Sequence, residues 1–152
     1  MIAIPPPLRL RLDSAALVAN WRWLAALSGP AACGAAIKAD GYGLGACEVL
    51  ALLAAAGCRD FFVAHWSEAA ALMPLPTGVA LSVLHGVGES DMVAARMLPA
   101  RPVLNSVEQV RRWREAGEGQ LCDVMVDTGM NRLGLRVEEA LGGALDGLMI
   151  ET

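Results

Sequence analysis

The chain has 152 residues, of which 55% are hydrophobic and only 5% aromatic, and its formal net charge is −4. That length suggests one domain, and a mean hydropathy of +0.46 supplies ample material for a core of Ala, Leu and Val. An isoelectric point near 5.1 argues against nucleic acid, which needs a basic face, and against an anionic membrane surface.

Leu8-Arg9-Leu10-Arg11-Leu12 alternates apolar and charged residues, the pattern of a half-buried strand. Asp13 or Ser14 caps a helix to about Leu27, which Ser28-Gly29-Pro30 ends. Ala35 to Ile37 reads as a short buried strand, followed by a glycine-punctuated turn and a helix from Gly45 to Ala56. Gly57 closes that helix. Phe61 to His65 is the next strand. Ser67 is expected to cap a short helix that stops before Pro74. Val79 to Leu84 is a strand, and Ser90 caps a helix of about Asp91 to Leu98. Arg101 to Asn105 is a strand, and Ser106-Val107-Glu108-Gln109 has the form of a capping box that opens a helix to about Glu115. Asp123 to Asp127 is a fifth strand, Val137 to Leu141 a short helix, and Leu145 to Ile150 the start of a sixth strand.

Strands and helices therefore alternate at spacings of roughly 20 to 25 residues, the signature of βα units on a parallel sheet. The fold class is α/β, either a barrel or an open doubly wound sheet. Gly41, Gly43 and Gly45 are evenly spaced and do not form the G-x-G-x-x-G of a dinucleotide site. The uncharged run Ala69 to Gly88 is broken by Pro74, Pro76, Thr77, Ser82 and His85, so it reads as a helix end, loop and strand and not as a membrane span. Met1 to Pro7 has three prolines and no basic cluster, so no signal peptide is evident. Cysteines at 33, 47, 58 and 122 have no C-x-x-C spacing. They read as small buried hydrophobes in a reducing, cytoplasmic setting.

The organising stretch is Gly34 to Gly45, in which an apolar strand delivers Lys38 at its C-terminal end. Such strands are normally apolar throughout, and the C-terminal mouth of a parallel barrel strand is where catalytic groups sit. A lysine there can attack an aldehyde, pyridoxal phosphate (PLP) being the commonest such cofactor. The plain alternative is a surface lysine paired with Asp40.

Ile37-Lys38-Ala39-Asp40-Gly41-Tyr42-Gly43-Leu44-Gly45 closely resembles the PLP-attachment motif of alanine racemases, V-K-A-D/N-A/G-Y-G-H-G, with Leu44 in place of the usual histidine. Val126-Asp127-Thr128-Gly129-Met130-Asn131-Arg132-Leu133-Gly134-Leu135 resembles their D-T-G-M-x-R-L-G motif. Two motifs in the right order are far more specific than either alone. The resemblance runs from about Leu8 to Thr152 and implies the N-terminal, PLP-binding barrel segment of that family, of fold type III. A full (β/α)8 barrel needs about 250 residues. The chain is therefore expected to form an incomplete TIM-type barrel, about its first six strands, as one partial domain over residues 1–152. The rest of the barrel and a C-terminal β-domain would be absent. A barrel cut there has two open edges, so the chain is expected to be a truncated product or a piece of a larger protein, marginal by itself.

The resemblance also implies roles. Lys38 carries PLP as a Schiff base and moves the α-proton on one face of the substrate. Tyr42 bonds the cofactor phosphate, Arg132 helps hold the substrate carboxylate, and the backbone of Met130 contacts substrate. Each has a plainer reading as rim packing or, for Arg132, as an ion pair with Asp127. Met125 departs from the family, which often has a carbamylated lysine there to steady the arginine. Leu84 leans on the cofactor ring or simply packs, while His65 and His85 read as core or rim histidines without a metal. The tryptophans at 21, 23, 66 and 113 read as helix-face packing. The implied activity is interconversion of L- and D-alanine in a homodimer, as a supply of D-alanine for peptidoglycan, with no nucleic-acid or membrane partner. The family's second base, a tyrosine of the partner's C-terminal domain, would not be in this chain, so little activity is expected of the chain alone. A PLP carrier, a racemase of broader specificity and a non-catalytic fragment are the alternatives.

Overall fold

The structure is a computed structural model and describes residues 10–152. Six parallel strands lie side by side in chain order: β1 Ala35–Ala36, β2 Asp60–Val63, β3 Ala80–Val83, β4 Arg101–Leu104, β5 Leu121–Val124 and β6 Met149–Ile150. A doubly wound sheet reverses its strand order partway along. This one never does, so of the two architectures the alternation allows, it follows the barrel. β1 and β6 are its two edges among the described residues.

The helices are α1 Ser14–Leu27, α2 Lys38–Tyr42 (a single turn), α3 Ala46–Ala56, α4 Trp66–Ala71, α5 Met92–Met97, α6 Val107–Ala116 and α7 Val137–Leu141. Asp13 caps α1 by accepting the Ala16 N–H at 3.0 Å, and Gly57 ends α3 in the left-handed conformation. The core fills from β2 and β3 outwards. Phe61, Val63, Leu81 and Val83 are buried, with Ile37, Leu50 and Leu53 behind them. Each such side chain contributes about 1.5–3 kcal/mol by leaving water.

Several local expectations are corrected. Leu8 and Arg9 lie outside the described residues, as does the Met1–Pro7 stretch, and Leu10–Leu12 form no strand. Residues 10–12 have no ladder partner there, and Leu12 instead packs on the core ahead of the Asp13 cap. Ser67 lies inside α4, whose N-cap is His65, because the strand ends at Val63 and the helix starts at once. Ser90 sits inside a 3-10 turn, Glu89–Asp91, where Asp91 takes the Gly88 N–H at 2.8 Å. Ser106 caps α6 as expected, accepting from Gln109 N–H, but the Gln109 side chain reaches one residue further back, to the Asn105 N–H. The fifth strand starts earlier and stops at Val124; Val126 makes only an isolated bridge to Leu135.

Cys58 and Cys122 are buried as expected, and burial pushes the Cys122 thiol up to about 11. Cys33 is half-buried, while Cys47 is exposed, its thiol toward the Ala71 carbonyl of α4. Trp66 and Trp113 are buried and donate to the carbonyls of Gly86 and Gln120, whereas Trp23 is 64% exposed.

Beneath the mouth, an ionic group the sequence did not announce links four strands and the residue after β6. Arg101 of β4 lies 3.4 Å from Asp123 of β5, 3.9 Å from Asp60 of β2 and 3.7 Å from Glu151. The buried Ser82 hydroxyl of β3 donates to Asp123 at 2.5 Å. Among the described residues no helix is long and apolar enough to cross a membrane.

Candidate functional site

Lys38 leaves β1 at the C-terminal end of the sheet, directly after the buried Ile37, whose N–H still pairs with the Phe62 carbonyl at 2.8 Å. The chain then does something an ordinary helix does not. Ala39 (φ 52, ψ 49), Asp40 (φ 51, ψ 51) and Gly41 (φ 64, ψ 36) are all left-handed, and Tyr42 follows at φ 56. Each non-glycine residue in that region costs about 1–2 kcal/mol, so the turn must be held from outside. Asp40 accepts the Ala46 N–H at 2.8 Å, tying the turn to the first residue of α3. Glu68 accepts the Ala39 N–H at 2.7 Å. Gly41 is buried there at φ 64, and a Cβ would meet the Ala46 backbone at 3.2–3.3 Å, so glycine spares this chain both the strain and the tight contact.

This geometry separates the two readings of Lys38. Among the described residues it makes no ion pair, and the Asp40 carboxylate is engaged with backbone. Lys38 instead lines a cavity of about 260 Å³ with Ala64 and His65 after β2, Leu84 and His85 after β3, and Met125, Arg132 and Leu133 after β5. The lining has one lysine, one arginine, two imidazoles and no carboxylate, so it suits an anionic ligand. His65 and His85 are exposed rim residues, their rings 5.3 Å apart. Larger cavities, of about 520 and 640 Å³, lie at the opposite end, near the starts of β3, β4 and β5. Catalytic groups of barrels gather at the C-terminal ends of strands, and no lysine or histidine lines either of those cavities.

Arg132 reaches the same cavity from the loop after β5. That loop is built on Asp127, whose carboxylate accepts the N–H groups of Gly129 at 2.9 Å and Asn131 at 3.1 Å. These bonds, that of Gly129 first, hold the Asp127 carboxyl below its usual range. Asp127 therefore shapes the loop and does not pair with Arg132. Gly134 (φ 116) lets the chain return, since a Cβ there would meet Asp127 N at 2.6 Å. Met125 stands in the cavity wall with Arg132 and offers it only a thioether.

The structure thus brings Lys38 and Arg132 to one cavity, with Leu84. It leaves Tyr42 63% exposed and Met130 75% exposed, neither of them in the cavity wall. No group of three or more metal-ligating side chains occurs among the described residues. The sequence pattern does not single out Glu68. Its bond to Ala39 spans 29 positions, and no local signal announces such a contact.

A family profile described as alanine racemase, N-terminal domain, matches residues 12–148. The alanine racemase of Methylobacterium nodulans is 44% identical over 145 residues, covering 93% of this chain and 39% of its own length. That of Methylobacterium sp. strain 4-46 is 47% identical over 148 residues, covering 92% and 40%. Among solved structures, the alanine racemase from Bartonella henselae with covalently bound pyridoxal phosphate superposes with a TM-score of 0.79 at 36% identity, over 86% of this chain and 38% of that one. The chain therefore spans about 40% of the length of the curated relatives it matches.

Proposed function

The chain belongs to the family of alanine racemase N-terminal domains, and on that premise we propose that it is the lysine-bearing part of a PLP-dependent racemase that interconverts L- and D-alanine. The observation that carries the reading is the convergence of Lys38 and Arg132 on one cavity at the C-terminal mouth of a parallel sheet. The donor set fits the cofactor: a primary amine for its aldehyde, and cationic walls without a carboxylate for anionic groups. Lys38 would hold it covalently, the Tyr42 hydroxyl would take its phosphate, and Leu84 would pack against its ring. When bound, the group supplies an electron sink that stabilises negative charge at the substrate α-carbon.

The chain's own residues do the rest. Lys38 Nζ removes and returns the α-proton on one face, a task that depends on its placement. Arg132 grips the substrate carboxylate through its planar fork, with the Met130 backbone beside the substrate. Leu84 and Leu133 give the cavity its apolar wall. A two-base racemase needs a second group on the other face. Tyr42 is the only tyrosine here, and it stands on the lysine side, so we place the second base outside these residues. The same proposal includes residues 1–152 as a partial barrel domain, a homodimeric assembly and a cytoplasmic setting.

A racemase of broader specificity is the second reading, favoured by Met125, which leaves Arg132 without a hydrogen-bond partner among the described residues. Borohydride reduction of the chain mixed with PLP, followed by peptide mapping, tests the reading shared by both. Stoichiometric label on Lys38 is expected. Lys38 is the only lysine in the sequence, so label on the α-amino terminus instead, or none, refutes it.

A further inference from the structure

We infer that Glu68 is a positioning residue for Lys38, a role that rests on the functional reading above. Glu68 lies in the first turn of α4 and is half-buried. Its Oε1 accepts the Ala39 N–H at 2.7 Å. Its Oε2 accepts the Ala64 N–H at 2.7 Å and the His65 N–H at 3.4 Å. One carboxylate therefore bridges the C-terminal ends of β1 and β2, and it does so at the residue next to Lys38, the first of the left-handed run. Charge-assisted bonds of this kind are the stronger class, and a negative group in the first turn of a helix is favoured by the helix dipole.

Glu68 does not line the Lys38 cavity. It borders a separate cavity of about 310 Å³ behind the turn, with Ile37, Asp40 and Ala46. It therefore acts on Lys38 through the backbone and touches no reacting atom. Both oxygens are in use as acceptors on opposite strands. Glutamine, nearly the same shape, keeps one acceptor and turns an N–H₂ donor toward the other N–H. Glu68→Gln thus breaks one side of the bridge without opening a cavity.

The test combines amide hydrogen exchange by NMR with borohydride trapping, on the 152-residue chain and its E68Q variant. In the wild type the Ala39 and Ala64 amides should be protected comparably to Ile37, which is held by the sheet. E68Q should lose at least tenfold protection at Ala39 or Ala64, with the β3 and β4 amides unchanged. Label at Lys38 should fall at least fivefold at neutral pH. An unprotected Ala39 in the wild type overturns the inference even if the variant does not fold. Unchanged exchange in E68Q overturns it too, as does altered exchange with undiminished label. Loss of protection throughout the sheet in E68Q makes Glu68 a general stability residue and also overturns it. A wild type that takes no label refutes the functional reading, and the positioning role falls with it. The exchange data then still decide whether the bridge exists.

Discussion

The two sides of the cavity are built differently. Lys38 stands on the packed side: Ile37 before it and Phe61, Val63, Leu81 and Val83 on the neighbouring strands are each at most 1% exposed. Its turn is clamped by two carboxylates from different places in the chain. Arg132 stands on a loop that holds itself, through Asp127 and one isolated bridge between Val126 and Leu135. Met130 and Leu133 of the same loop are exposed, as is Leu141 of the helix that follows it. Lys38 is fixed by long-range packing and Arg132 by local turn chemistry. On the proposed function, the half that needs the finer geometry is the half with the stronger frame.

That contrast breaks most visibly in the core. Phe61→Ala should cost about 3–5 kcal/mol, a large share of the stability of a small domain. Leu141→Ala, on the exposed side, should stay within about 0.5 kcal/mol. Urea midpoints of the two variants compare them directly, and similar losses would erase the distinction.

Gly41→Ala tests the clamp itself. A side chain at φ 64, facing the Ala46 backbone, should cost about 1–2 kcal/mol. It should also lower PLP label at Lys38, while β3 and β4 keep their exchange protection. A variant that labels as the wild type does would show that the left-handed turn is unimportant to the lysine.

On the other side the expected effect is smaller and depends on pH. The folded Asp127 carboxyl lies below its unfolded value of about 3.9, chiefly through the Gly129 N–H. Its stabilising contribution is thus present above the unfolded value and is lost as pH falls through the folded one. Urea midpoints of the wild type and Asp127→Asn, measured from neutral pH down to about pH 3, should converge only at the acid end. A constant difference would remove the carboxylate from the account of the loop.

Much of this was legible in the sequence, for reasons that differ from residue to residue. The order of elements could be read because several helices carry their own stop or cap, as at Asp13, Gly57 and Ser106. Lys38 and Arg132 stood out because each falls in a motif-bearing stretch at a strand end. Of the strand expected at Leu8–Leu12, the described part, Leu10–Leu12, forms none, because alternation marks a half-buried face but cannot supply a ladder partner. Ser67 failed as a cap because the chain turns from β2 into α4 two residues earlier than the hydroxyl suggested. The Arg101–Asp123–Ser82 group and the Glu68 bridge were invisible, since each joins residues far apart in sequence through tertiary approach alone.

The most direct test of the central claim is borohydride trapping of Arg132→Ala beside the wild type. Equal, stoichiometric label at Lys38 is expected in both, because the lysine side of the cavity is held independently of the Arg132 loop. Collapse of the label in a folded Arg132→Ala chain would show that the two sides form one unit, and would contradict that claim.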